Sequence, residues 1–162
     1  MADMVYAVVP VLSVVLTGLF AGLFFAFSIS VMPGLGRVGD RAMIEAMQGI
    51  NVAILNPFFA VVFIGAPVVA LGQTLLHWAA GHTSSAWWAG AALALLALVL
   101  VVTFAVNVPR NNALDRAGSP ERLADPAAVR GGFEAVWVRW NHLRTAASAA
   151  ALLCTAMAVT TG

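Results

Sequence analysis

The sequence predicts an all-α integral membrane protein, a four-helix bundle that forms a single domain over residues 1–162. Of the 162 residues, 62% are hydrophobic and 9% are charged, whereas soluble domains carry about 45–50% apolar and about 25% charged residues. Four stretches reach the roughly 20 mostly apolar residues that a membrane-spanning helix needs. None of them has the polar face that an outer helix of a soluble bundle presents to water.

The predicted spans lie near residues 5–31, 51–76, 86–106 and 143–160. The first span is expected to be retained rather than cleaved as a signal peptide, because no positive charge precedes it and its apolar run is too long. Pro33 and the glycine-rich run 34–39 are expected to break this helix. Asp40 is then predicted to cap a short amphipathic interfacial helix over residues 41–51.

Helix signals also mark the later connections. Asn56 followed by Pro57 is typical of a cap and the first residue of a helix. Pro109 is predicted to end the third span. A longer loop follows, in which Gly131 and Gly132 are predicted to precede a new helix that leads into the fourth span.

The arginines are distributed asymmetrically, and the chain has no lysine. Two lie between the first two spans and five between the last two: Arg37, Arg41, Arg110, Arg116, Arg122, Arg130 and Arg139. Neither the termini nor the turn near residues 77–86 carries a lysine or an arginine. The positive-inside rule therefore predicts a protein of the cytoplasmic membrane with both long loops in the cytoplasm and both termini outside.

Charge and cysteine content exclude several function classes. The 8 basic and 7 acidic residues nearly cancel, so nucleic acid is not an expected partner. The single cysteine, Cys154, cannot form an internal disulfide and excludes the paired-cysteine chemistry of membrane thiol oxidases. No metal site is expected, because no group of His, Cys and Asp residues has the spacing of ligands.

Polar residues form a stripe that leads into the fourth span. On a helix with about 100° per residue, five residues fall within about 60° of Trp137: Glu134, Trp140, Asn141, Arg144 and Ser148. His142 falls about 140° away, and only a helix break near Trp140 would bring it to the stripe. The stripe is either an interfacial anchor or one wall of an internal site where Arg144 stabilises an anion.

Polar residues from three helix ends converge on the same side of the bundle: Asn51, Asn56, Asn107, Asn111, Asn141 and Arg144. Each asparagine alone could be a helix cap, but their convergence predicts a polar site. In the first span, Phe20 and Phe24 share a face with hydroxyl residues. That face suits a flat ligand in an apolar pocket, although core packing explains it equally well.

Four stretches resemble one family of membrane proteins, and they occur in all four spans in order. They are FFAFSISVMP (24–33), INVAILNPF (50–58), TFAVNVPRNNAL (103–114) and WVRWNHLRTAA (137–147). They look like the bacterial branch of the anthrone oxygenase-like proteins, formerly a domain of unknown function. The resemblance implies a monooxygenase that converts an anthrone to an anthraquinone with O2, without metal or flavin.

With this resemblance, the candidate residues take specific expected roles. Arg144, Asn141, Asn107 and Asn111 would donate hydrogen bonds to a substrate oxyanion, and His142 matches the family motif as a candidate base. Substrate-binding residues would be Trp137, Trp140, Phe20, Phe24, Asn51 and Asn56. The expected partners are a lipophilic small molecule, O2 and membrane lipids, and a homo-oligomer stays open.

Three alternatives remain from the sequence. A non-enzymatic module could bind a lipophile or a partner subunit. A redox protein could bind haem or quinone, but His77 and His82 lie at the opposite end from His142, so one haem cannot join them within a protomer. A transporter is disfavoured because no Asp or Glu lies within a span to couple a proton.

Overall fold

The computed structural model describes residues 2–161, and in this part of the chain five helices and no strand occur. They are α1 (residues 2–35), α2 (Asp40–Ala53), α3 (Pro57–Ala79), α4 (Thr83–Arg116) and α5 (Pro126–Thr160). The helices α1, α3, α4 and α5 are long and apolar enough to cross a membrane. The predicted all-α membrane bundle is confirmed.

The four long helices form an antiparallel ring, which the contact between the first and the last of them closes. Helix α1 contacts α3 and α5, and α4 contacts the same two helices. The ring of Phe20 on α1 stacks on that of Phe63 on α3 with centroids 5.6 Å apart. These rings belong to an apolar core midway along the bundle that also contains Leu16, Leu96 and Val99.

Three of the long helices extend beyond the membrane-spanning length at one end. Helix α4 has 34 residues and α5 has 35, which is about 50 Å at 1.5 Å per residue against a hydrocarbon core of about 30 Å. Helix α2 packs on these extensions through Met43, Ile44 and Met47, which join a second apolar cluster with Phe133 and Trp137. We call this the arginine-rich end, since it carries the seven loop arginines named above.

The bounds of the second span and the cap of α2 differ from the prediction. Residues 51–53 belong to α2, and the membrane-spanning helix begins at Pro57. Asn56 caps it as predicted, with its side chain accepting from the N–H of Phe59 at 3.0 Å. The prediction that Asp40 caps α2 is wrong, because Gly39 holds the cap position and the Asp40 carboxylate instead accepts from Arg130 at 3.0 Å.

The predictions that Pro33 breaks α1 and that Pro109 ends α4 are wrong, whereas α1 does end within the glycine-rich run 34–39, at Leu35, as predicted. Helix α1 continues through Pro33 and α4 through Pro109, each after a π-helical turn, Phe27–Val31 and Thr103–Asn107. The residue just before each proline donates its N–H to the carbonyl five residues back. Because a proline ring clashes with the carbonyl four residues back, this wider turn lets the helix accommodate it.

Helix α5 begins earlier than predicted and has no break. Its first residue is Pro126, and the Asp125 side chain accepts from the N–H of Ala128 at 3.0 Å. The cap and the proline therefore start the helix, and the prediction of a start after Gly131 and Gly132 is wrong. Since α5 is also continuous through Trp140, His142 stays on the face that the projection gives it.

Candidate functional site

A cavity of about 770 Å³ lies where the two apolar clusters meet, towards the arginine-rich end. This volume is within the roughly 300–1,000 Å³ range of small-molecule pockets. Most of its wall is apolar, with the aromatic rings of Phe24, Phe27, Phe59, Phe63 and Phe104. The polar part of the wall comprises Gln48, Asn51, Asn56, Thr103, Asn111, Asn112, Asp115, Asn141 and Arg144.

Arg144 is the charged group buried in this wall, with 5% of its surface exposed. Its Nη2 donates to Asn141 Oδ1 at 2.9 Å and its Nη1 to Thr103 Oγ1 at 3.4 Å, while its Nε has no partner. Within residues 4–161, no carboxylate lies within 4 Å of the guanidinium. A buried charge without a counter-ion is costly, so this arginine is suited to receive an anion.

Aromatic rings fix the guanidinium from two sides. Its carbon Cζ lies 4.5 Å from the ring centroid of Phe24 and 5.2 Å from that of Trp137. Cation–π contacts of this kind attract the charge without neutralising it. The two rings therefore orient the guanidinium before a ligand arrives.

Both the nitrogen and the oxygen of the Asn141 amide form hydrogen bonds that hold Arg144 in place. Its Nδ2 donates to the backbone carbonyl of Phe24 at 3.1 Å and to Ser28 Oγ at 2.9 Å. Its Oδ1 consequently faces Arg144. The amide thus connects α1 to the guanidinium and has no free donor for a ligand.

Asn111 and Asn107 both act on Trp137. The indole Nε1–H of Trp137 donates to Asn111 Oδ1 at 2.8 Å, and Asn107 Nδ2 donates to the Trp137 carbonyl at 3.3 Å. Asn111 lines the cavity, whereas Asn107 is 1% exposed and lies behind the wall. Asn107 therefore holds the backbone of α5 at Trp137 rather than a ligand.

The remaining residues expected at the site divide into two groups. Asn51 and Asn56 line the cavity together with Phe24. Phe20 packs in the core on Phe24, with ring centroids 5.2 Å apart, and Trp140 is half-buried outside the lining. His142 is exposed and also outside the lining, with its Nδ1 3.1 Å from Ser28 Oγ.

Asn56 lines the cavity, but both ends of its amide are used by the backbone. Its Nδ2 donates to the carbonyl of Ala53 at 2.9 Å, and its Oδ1 caps α3. We expect Asn56→Ser, which keeps the cap, to bind a flat aromatic probe within about twofold of the wild type. Asn56→Ala should lower the free energy of unfolding by about 1 kcal/mol, the usual cost of a lost cap. Thermal melts and ligand titrations in one detergent test both; a tenfold loss of affinity in Asn56→Ser would make the amide a ligand contact.

The cavity is open at its side as well as towards the arginine-rich end. Its wall includes Ile64 of α3 and Phe104 of α4, which are 53% and 60% exposed on the apolar surface of the bundle. At the other opening lie the exposed polar residues Asn112 and Asp115. The cavity therefore opens to the apolar surface of the bundle between α3 and α4, and to water at the arginine-rich end.

Several wall residues could not be predicted from the sequence, chiefly Phe59, Phe63 and Phe104. They lie on α3 and α4, which are apolar on all sides, so periodicity does not distinguish a cavity-facing phenylalanine from one facing lipid. Phe27 lies in the π-helical turn of α1, where the regular helical phase is lost. The sequence shows Thr103 as a polar residue four positions before Asn107. The π-helical turn, however, decides which way the Thr103 side chain points.

Comparison with known proteins adds one positive finding. A family model described as anthrone oxygenase matches residues 52–154. The matched range contains α3, α4 and most of α5, and with them Arg144 and most of the cavity wall. No curated protein and no solved structure matches the chain. Since the match covers more than half of the chain, the protein is an oxygenase-like membrane protein that belongs to the anthrone oxygenase family.

Proposed function

We propose that the protein oxidises a lipophilic polycyclic aromatic compound of the anthrone type to the corresponding quinone with O2. The observation that carries this proposal is Arg144, a buried cation without a described carboxylate partner in an aromatic-lined cavity. A flat substrate that becomes an enolate or phenolate matches both the rings and the charge. Family membership supports the same reaction class.

In this proposal Arg144 stabilises the negative charge that develops on the substrate oxygen. Preorganised donors in a water-poor site are among the largest contributions to catalysis. By stabilising the enolate, the guanidinium makes the substrate methylene more acidic, and the proton leaves to water at the cavity mouth. A dedicated side-chain base is not needed: Glu134 is held by Arg130 at 2.6 Å, and His142 lies outside the wall.

The carbanion then reduces O2 directly. One electron passes from carbon to O2, and the resulting radical and superoxide combine to form a carbon–oxygen bond. The peroxide takes up a proton, its O–O bond breaks as the second methylene hydrogen is lost as a proton, and water leaves. One oxygen atom becomes the new carbonyl, the other leaves in water, and no separate reductant enters the balance.

Membrane orientation follows from the arginines in the same proposal. The positive-inside rule puts the arginine-rich end in the cytoplasm, so the side opening between α3 and α4 faces the cytoplasmic leaflet. A lipophilic substrate would enter from this leaflet and direct its oxygen atoms towards Arg144. The protein then needs no aqueous pool of a poorly soluble compound.

The test is oxygen uptake by the detergent-purified protein with a hydroxyanthrone, after its absorption spectrum and metal content are recorded. We expect a colourless, metal-free protein that consumes one O2 per quinone formed, above the rate without protein. A Soret band or stoichiometric metal would overturn the direct route. A colourless protein that binds the compound without uptake would favour the lipophile-binding module.

A further inference from the structure

A chain of hydrogen bonds connects His142, on the outside of the bundle, to Arg144 in the cavity wall. His142 Nδ1 lies 3.1 Å from Ser28 Oγ, which accepts from Asn141 Nδ2 at 2.9 Å. Asn141 Oδ1 then accepts from Arg144 Nη2 at 2.9 Å. The chain crosses the interface between α1 and α5 and reaches the guanidinium without entering the cavity.

The hydrogens in this chain can be assigned by counting donors. Thr145 donates its hydroxyl hydrogen to the carbonyl of Asn141 at 3.0 Å, so in its 2.8 Å contact with Ser28 it must accept. Ser28 has one hydrogen and two lone pairs. Its hydrogen goes to Thr145 and one lone pair accepts from Asn141, which leaves the second lone pair for His142. When all of these contacts are hydrogen bonds at once, His142 Nδ1 carries the hydrogen and donates it to Ser28.

We propose that His142 and Ser28 are positioning residues that fix the Asn141 amide so that its oxygen faces Arg144. A flipped amide would direct Nδ2–H at the guanidinium N–H groups and remove one of the acceptors that orient Arg144. His142 holds Ser28 through Nδ1–H, and Ser28 holds the amide nitrogen of Asn141 together with the backbone carbonyl of Phe24. The inference rests on the proposed function only in taking Arg144 as the anion receptor.

The experiment compares two forms of one probe, a hydroxyanthraquinone bound as its phenolate and the methyl ether of the same ring system. The ratio of the two dissociation constants measures the contribution of Arg144, whereas a general structural defect weakens both forms alike. We expect the wild type to prefer the phenolate. Ser28→Ala should reduce this preference about tenfold and His142→Ala about threefold, in line with one lost hydrogen bond and a weaker indirect effect.

Two substitutions of His142 distinguish the loss of its Nδ1–H donor from the loss of its side-chain volume. In His142→Asn the amide nitrogen takes the place of Nδ1 and restores the donor, so the preference should return to the wild-type value. His142→Gln places its amide nitrogen near Nε2 instead and should behave like His142→Ala. His82→Ala, an exposed histidine at the opposite end of the bundle, is the matched control and should have no effect.

The outcomes distinguish the two proposals. If Arg144→Ala removes the preference but Ser28→Ala and His142→Ala leave it intact, the positioning inference is overturned and the anion receptor stands. If the wild type itself shows no preference for the phenolate, the anion receptor is wrong, and the positioning inference is overturned with it. Loss of preference in Ser28→Ala with recovery in His142→Asn supports both.

Discussion

Arg144→Ala is expected to abolish hydroxyanthrone-dependent oxygen uptake, lowering kcat by about 10²–10³, the loss seen when an oxyanion donor is removed. The bundle should stay folded with an unchanged or higher thermal midpoint. The reason is that the substitution removes a buried guanidinium whose desolvation costs several kcal/mol, while only neutral groups, Asn141 and Thr103, lose a hydrogen bond. An oxygen electrode and a thermal melt by circular dichroism in the same detergent measure the two effects.

Two further arginine variants make this result specific. Arg144→Lys keeps the charge but not the planar fork or its stacking on Phe24 and Trp137, so it should retain partial activity. Arg139→Ala changes an exposed arginine on the same helix and should leave kcat unchanged. Wild-type kcat in Arg144→Ala would refute the role of this residue in stabilising an oxyanion.

The stripe on α5 could be predicted from the sequence because a polar group on an apolar helix must be buried against protein or water. The helix is continuous from Pro126 to Thr160, so a constant 100° per residue holds along it. Trp137, Asn141 and Arg144 consequently share the buried face, and His142 lies away from it. The sequence did not indicate which of these donors a neighbouring helix already occupies.

The two π-helical turns could not be predicted in the same way. Pro33 and Pro109 are strong signals for the end of a helix in water. Within a membrane bundle the backbone must stay hydrogen-bonded, and local widening of the helix re-satisfies the groups that proline frees. Each π-helical turn also shifts the helical phase, so the cavity-facing residues of α4 near Thr103 do not follow from a regular wheel.

The packing of α2 could also be predicted only in part from the sequence. Its amphipathic pattern predicted an interfacial helix, but not the contacts that hold it on the ends of α4 and α5. Gln48 donates to the backbone carbonyls of Leu114 and Gly118 at 2.9 and 3.1 Å. These acceptors are backbone atoms, which carry no sequence signal. As a result, the part of the wall that Ile50 and Val52 contribute to the cavity appears only in the folded chain, whereas Asn51 was predicted at the site.

Arg130 joins α5 to the connection before α2. Its substitution should therefore weaken the part of the cavity wall that α2 contributes. The guanidinium donates to the carbonyls of Gly36 at 3.2 Å and Val38 at 2.9 Å, and it pairs with Asp40 at 3.0 Å and Glu134 at 2.6 Å. We expect Arg130→Ala to lower the free energy of unfolding by about 2 kcal/mol, since several charge-assisted hydrogen bonds are lost at a half-buried position. The change is measured by thermal and denaturant unfolding in detergent.

The same substitution should weaken the binding of the phenolate and of its methyl ether by an equal factor, because it loosens the cavity wall and leaves Arg144 in place. This pattern differs from that of Ser28→Ala, in which only the phenolate loses affinity. Arg122→Ala, at an exposed arginine without a described side-chain contact, is the matched control and should match the wild type. If Arg130→Ala kept wild-type stability and bound the methyl ether normally, the apolar contacts of α2 and the hydrogen bonds of Arg41 and Gln48 would be sufficient to hold it.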